Sequence, residues 1–321
     1  MVFFITFIRA LAACLITNSH YTGIYPTDLI ANGGLLGDVL FFAVSGYCLC
    51  QVRDPFHKWY SKRLLRCYLP VMLVTAVYLL LGAYSLETQG LFYWFVYPTY
   101  YHFVASIVLL YIPFYAVMHF KPLKERLGLV MLLTAAVYLI VYIFAYDKSR
   151  YHIDNVREPM IRFLFFESML LGAWFRNNDQ KYRNRPSLAA VLGTLGTFVL
   201  YFAAKLFFAK GILNSSLQVL NQIVLFILLG CAFRWAMGMD EKLSHLPAPV
   251  RCCIEFVSKR TLEIYVVQYV LIEWIRPLFP FPVNWIVLTG AILLAACPVH
   301  WICEWVNKAV FRKKGKAVHK E

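Results

Sequence analysis

The chain has 321 residues, 61% of them hydrophobic and 15% charged, with a formal net charge of +14. Soluble domains run at ~45–50% apolar and ~25% charged, so this composition excludes an ordinary soluble enzyme and points to a polytopic membrane protein. The basic balance does not imply nucleic-acid binding, because the lysines and arginines gather on loops between apolar spans, without the aromatic and basic motifs of a soluble platform.

Ten apolar runs can be drawn, roughly 2–21, 33–52, 67–84, 100–119, 127–146, 163–176, 187–209, 217–238, 260–279 and 285–306. Most are long enough to cross a ~30 Å hydrocarbon core. The expectation is an all-α, polytopic membrane bundle of about ten transmembrane helices, forming a single domain over 1–321 with no separate soluble domain and a basic tail at 308–321. With the N-terminus inside, 23 basic residues fall on cytoplasmic loops and 7 on outer ones, which predicts cytoplasmic termini in an inner (plasma) membrane.

The first run, FFITFIRALAACLITNSHY, carries two residues that a purely structural span has little reason to hold, Arg9 and His20. Eleven residues apart, they fall about 20° from one another around a helix and about 16 Å along it. A charge here costs at least ~2.5 kcal/mol on insertion scales and normally faces protein or a wet cavity, so a reactive channel along this helix is expected. Leu11-Ala12-Ala13-Cys14 looks like a lipoprotein cleavage box, but the apolar VFFITFI precedes Arg9, the reverse of a signal peptide's order, and the first helix is kept.

The second run starts Asn32-Gly33-Gly34 and continues Gly37-Asp38, Phe41-Phe42 and Ser45-Gly46. It lacks the phosphate-loop pattern; Gly37 and Gly46 suit close helix packing, whereas Asp38 needs a polar partner in the bilayer. Next comes RDPFHKWYSKRLLRCYLP, in which Lys62, Arg63 and Arg66 lead into the membrane ahead of Pro70. Topology explains their charge, and the same cluster suits the phosphates of a nucleotide cofactor.

The outer loop DKSRYHIDNVREPMIR, 147–162, has nearly cancelling charges. It reads either as a solvated loop held by local ion pairs or as a docking surface for an anionic acceptor. The nine cysteines show no zinc spacing and no secreted disulfide framework, and no metal is expected. His102, Glu167 and Tyr265 are weaker candidates for acceptor binding or supporting hydrogen bonds, alongside Asp38 and Ser45.

Together these residues resemble the acyltransferase 3 family, polytopic enzymes that move acyl groups, usually acetyl, onto cell-surface glycans. Its first helix carries Arg, ten residues, then His, matched by Arg9 and His20; its second reads G-x-x-x-FF-x-x-SG, matched by Gly37, Phe41, Phe42, Ser45 and Gly46. Its first cytoplasmic loop is an Arg-rich run ending in Pro, as Lys62, Arg63, Arg66 and Pro70 are here. Later, TYYHFVASIVLLYIPFY (99–115) is similar to the fourth-span motif with Val104 for Trp. TLEIYVVQYVL (261–271) is similar to S-x-G-I-Y-x-x-H with Thr261, Glu263 and Gln268 for Ser, Gly and His. No catalytic role is carried onto Gln268.

The resemblance implies O-acetyl transfer from cytosolic acetyl-CoA, or another acyl-CoA, to a hydroxyl of an extracytoplasmic or lipid-linked glycan. His20 is then the catalytic base or an acyl acceptor, and Arg9 contacts a phosphate or carbonyl oxygen of the donor. Lys62, Arg63 and Arg66 hold its nucleotide end. The expected partners are acyl-CoA, a carbohydrate acceptor and the lipid bilayer, with self-association left open. The rival is a polytopic transporter of a glycan or lipid-linked precursor, against which the absence of an internal repeat weighs.

Overall fold

The computed structural model describes residues 2–87, 90–96 and 101–317. Thr99 and Tyr100 of the fourth-span segment and the last four residues of the basic tail lie outside them. Among the described residues there are helices and no strands, as the uninterrupted apolar runs predict. The main helices in order are α1 (Phe3–Ser19), α2 (Gly34–Leu49), α3 (Phe56–Leu80), α4 (His102–His119), α5 (Leu127–Phe144) and α6 (Ile161–Asn177). They continue with α7 (Leu188–Ala209), α8 (Val219–Gly238), α9 (Ala248–Lys259), α10 (Thr261–Ile275) and α11 (Val283–Ala317).

Six of these regions are long and apolar enough to cross a membrane, namely α3, α4, α5, α7, the stretch Ser215–Gly238 containing α8, and α11. The remaining four expected spans fold as shorter helices of 17, 16, 17 and 15 residues, α1, α2, α6 and α10. These four carry Arg9, Asp38, Glu167 and Glu263, so polar residues shorten the continuous apolar length that a span needs. On α5 and α7 the apolar side chains are largely exposed, Leu132, Leu133, Phe144 and Val199 among them, as suits a hydrocarbon solvent rather than water.

The chain divides into two compact units that interleave in sequence. The first comprises Met1–Ala12, Leu35–Arg53 and Leu110–Glu255. In it α7 packs along α8, and α6 packs against α5 and α8. Helix α2 meets α6 backbone to backbone: a Cβ built on Gly46 would run into the Met169 carbonyl, and one on Gly172 into the Ala43 carbonyl. Glycine at 46 is thus a packing residue, as small residues are between membrane helices. The free amide of Phe4 at the start of α1 donates to Asp240 Oδ1 at 2.7 Å, which caps the helix with a carboxylate.

The loop 147–162 of this unit is exposed at Asp147, Ser149, Arg150 and Asn155–Arg157, and it is held by side-chain amides more than by ion pairs. Its His152 and Ile153 amides donate to Gln218 Oε1 at 2.9 and 3.0 Å, and the Ile153 carbonyl accepts from Gln222 at 2.8 Å. Asp154 accepts from Asn221 at 3.1 Å and from the Tyr151 hydroxyl. Lys148 covers the last carbonyls of α5, Tyr142 and Ile143, at 3.1 and 2.8 Å. Burial pushes the Asp154 carboxyl above its usual range.

The second unit comprises Ala13–Gly34, Asp54–Leu109 and Phe256–Glu321. Here α10, α11 and α3 pack against one another. The Tyr78 hydroxyl of α3 donates to the Val267 carbonyl of α10 at 2.7 Å. The segment between α1 and α2 is fixed by Asn18, whose side-chain amide donates to the carbonyls of Ile30 and Asn32 at 2.7 and 3.0 Å. The Tyr21 hydroxyl bonds Thr289 of α11 at 3.0 Å.

Candidate active site

Helix α1 ends at Ser19, and the His20 amide closes a tight last turn on the Thr17 carbonyl at 3.1 Å. The regular helical rotation that puts His20 on the Arg9 side therefore stops one residue short of it. What holds the His20 ring is α10. The Tyr269 hydroxyl lies 3.4 Å from Nε2, and the two rings meet edge to face with centroids 4.9 Å apart. Tyr265, one turn earlier on the same face of α10, is 6.5 Å from the imidazole.

Tyr101 packs against both tyrosines, at 5.5 and 6.0 Å, and Phe103 against Tyr265 at 5.7 Å. The Tyr101 hydroxyl is anchored on the Val266 carbonyl at 3.3 Å. His20 is half-buried, its imidazole set against this aromatic wall. A neutral imidazole with a hydroxyl beside one nitrogen can take a proton from an alcohol or receive an acyl group. The 3.4 Å separation is long for a hydrogen bond, as catalytic bonds often are before substrate binds.

The cationic cluster belongs to the same unit, at the start of α3. Lys62 Nζ is bound to Asp54 Oδ2 at 2.7 Å, and that bond holds the Asp54 carboxyl below its ordinary value. The Arg63 guanidinium lies over Trp59, 5.1 Å from the ring centre, and Arg66 is exposed. A planar guanidinium stacked on an indole is pre-organised for bidentate contact with phosphate oxygens. His102, half-buried, opens α4 beside Tyr101.

Four candidates belong to the first unit instead. Arg9 is half-buried on α1 and near enough to Cys48 of α2 to interact with it electrostatically. Asp38 is buried on α2, near enough to the Tyr201 phenol of α7 to interact with it electrostatically. Ser45 is half-buried beside the packing residue Gly46. Glu167 is buried on α6 and accepts from the Thr134 hydroxyl of α5, the satisfied interior arrangement that its position in a span suggests.

A family model described as an acyltransferase domain matches residues 2–305, nearly the whole chain, and it is the acyltransferase 3 model. The chain belongs to the acyltransferase 3 family. Neither a curated protein sequence nor a solved structure matches it.

The protein is thus a membrane acyltransferase, and its helices supply residues that motif reading passed over. Tyr269 and Tyr101 touch His20 or its neighbours, yet a tyrosine in an apolar run carries no distinguishing pattern. Helical spacing offered the one clue, since Tyr269 is four residues after Tyr265 and shares its face. In this acyltransferase Glu263 accepts from His300 Nδ1 of α11 at 2.9 Å. That pair braces α10, the helix that carries the tyrosines.

Proposed function

We propose that the protein transfers an acetyl group from cytosolic acetyl-CoA to a hydroxyl of an extracytoplasmic or lipid-linked glycan, as an integral protein of the plasma membrane with cytoplasmic termini. The observation that supports this best is the half-buried His20, its Nε2 beside the Tyr269 hydroxyl, in the same unit as the guanidinium groups of Arg63 and Arg66.

In this reading the His20 imidazole, at the nitrogen that Tyr269 does not hold, takes the proton of the acceptor hydroxyl as its oxygen attacks the thioester carbonyl. The tetrahedral intermediate collapses with loss of the coenzyme A thiolate, and the imidazolium returns the proton to that sulfur. Tyr269 orients the ring. Arg63 and Arg66, with Lys62 exchanging Asp54 for phosphate, bind the nucleotide end. Arg9 is assigned to a donor phosphate or carbonyl oxygen on its sequence spacing from His20.

The test is transfer of label from isotopically labelled acetyl-CoA to candidate polysaccharides by the purified protein in proteoliposomes. Wild type labels an acceptor and His20→Ala does not. Equal labelling by both would overturn the assignment of His20. Movement of glycan across the bilayer with no label gained would favour the transporter reading.

A further inference from the structure

Two wholly buried side chains of the second unit have polar atoms with no protein partner among the described residues. They are Gln268 of α10, at both its amide nitrogen and its amide oxygen, and Thr75 of α3, at its hydroxyl. Both adjoin the hydrogen bond by which these helices meet. Gln268 follows Val267, whose carbonyl accepts from Tyr78, and Thr75 is one turn before Tyr78.

Nearby buried polar groups are matched: Tyr101 reaches Val266, Asn284 Nδ2 reaches the Ile24 carbonyl at 3.3 Å, and Glu263 holds His300. Buried amides are normally satisfied, and an orphan in a native fold asks for an explanation. Gln268 therefore offers one amide donor and one amide acceptor, and Thr75 a hydroxyl, on the two helices that the Tyr78–Val267 bond joins.

We propose that Gln268 and Thr75 receive an amide group of the donor's pantetheine arm. This rests on the acyl-CoA reading above and extends it to a binding role for two residues with no catalytic part. The arm is a flexible chain of methylenes interrupted by secondary amides, each with one N–H and one C=O. It therefore matches a site that needs a donor and an acceptor together. A lipid tail carries neither.

The order of groups along the helices agrees. On α3, Thr75 lies nine residues beyond Arg66, a rise of about 14 Å. On α10, Gln268 is next to Tyr269, which meets His20. Phosphate-binding cations, the unmatched polar pair and the imidazole thus follow the sequence of phosphate, amide arm and thioester in the donor. A neutral histidine also carries one donor and one acceptor, so Gln268→His keeps the pattern.

The experiment measures binding of coenzyme A and of adenosine 3′,5′-bisphosphate, which lacks the arm, to the full chain in nanodiscs. Gln268→Leu is expected to weaken coenzyme A about tenfold or more and to leave the bisphosphate unchanged. Thr75→Val should do the same to a smaller extent, and Gln268→His should retain most of the affinity. Unchanged coenzyme A affinity in Gln268→Leu, or equal loss of both ligands in Gln268→Leu and Thr75→Val, would overturn the assignment while leaving the donor intact. Wild type that binds neither ligand would remove the acyl-CoA reading itself, and this assignment with it.

Discussion

The Tyr269 hydroxyl of α10 and the Nε2 of His20 stand 3.4 Å apart although 249 residues separate them in the chain. The contact gives the imidazole an orientation that its own position, one residue past the end of α1, does not. It also ties His20 to a helix near the other end of the sequence.

The first prediction separates chemistry from orientation. His20→Ala should lower turnover by at least ~10²-fold, the usual contribution of a general base. Tyr269→Phe keeps the ring that packs on His20 and Tyr101 but removes the hydroxyl, so turnover should fall about tenfold, which corresponds to ~1.4 kcal/mol. The folded fraction should be unaltered. Steady-state transfer assays with circular dichroism on the same samples would check both, and full activity in Tyr269→Phe would remove its orienting role.

The second prediction concerns the α2–α6 seam. Alanine at Gly46 or Gly172 must displace a backbone carbonyl on the facing helix, which no rotamer change can relieve. Each should destabilise by about 1–3 kcal/mol or more, the range for overpacking, seen as a lower unfolding midpoint in detergent. Gly82 has open space around its position for a Cβ but a φ of +70°, so its alanine variant should cost only the backbone term, about 1 kcal/mol. Equal shifts at all three positions would show that close approach is not what Gly46 and Gly172 provide.

Much of this architecture was legible from residues alone, for a physical reason: a bilayer forces long apolar helices, and length and hydropathy are directly written in the chain. Arg9, His20 and the α3 cations stood out because charge in such a setting is costly. The Tyr269 contact and the unmatched amide of Gln268 did not, since both arise from packing between helices distant in sequence. The loop 147–162 was half legible. Its charges suggested ion pairs, but the partners that fix it are Gln218, Asn221 and Gln222, amides at i, i+3 and i+4 at the N-cap and first turn of an apolar helix. That spacing was the signal to read.

Asp154 leads to a pH prediction. Its carboxyl is raised in the folded protein by burial, with Lys205 acting in the opposite sense and Tyr151, Asn221 and Gln222 bonding the charged form. A folded value above the unfolded one, about 3.9, means that its stabilising contribution is complete below pH 4 and is lost as pH rises through the raised value. Asp154→Asn removes this titration. The wild type should lose stability on going from pH 4 toward neutrality, and the variant should lose less over the same interval. The slope is the quantity to read, because the variant also deprives Lys205 of a counter-charge. Unfolding midpoints at pH 4, 5, 6 and 7 would decide it, and parallel slopes would count against the burial of Asp154.

The last prediction tests the cationic start of α3 by separating binding from turnover. A group that grips the nucleotide end holds substrate and transition state alike, so its loss should raise KM and spare kcat. Arg66 is exposed, and Arg63 is stacked on Trp59. Arg66→Ala and Arg63→Ala should therefore each raise the KM for acetyl-CoA about tenfold with kcat within about twofold. Lys62 differs, because Asp54 already holds it at 2.7 Å. Its alanine variant should have a smaller effect, and Asp54→Asn should strengthen donor binding by freeing the ammonium. Added salt should weaken wild-type binding more than that of Arg66→Ala, since an exposed guanidinium acts through a screened field. A fall in kcat with unchanged KM in the arginine variants would move these residues from donor binding to the chemical step.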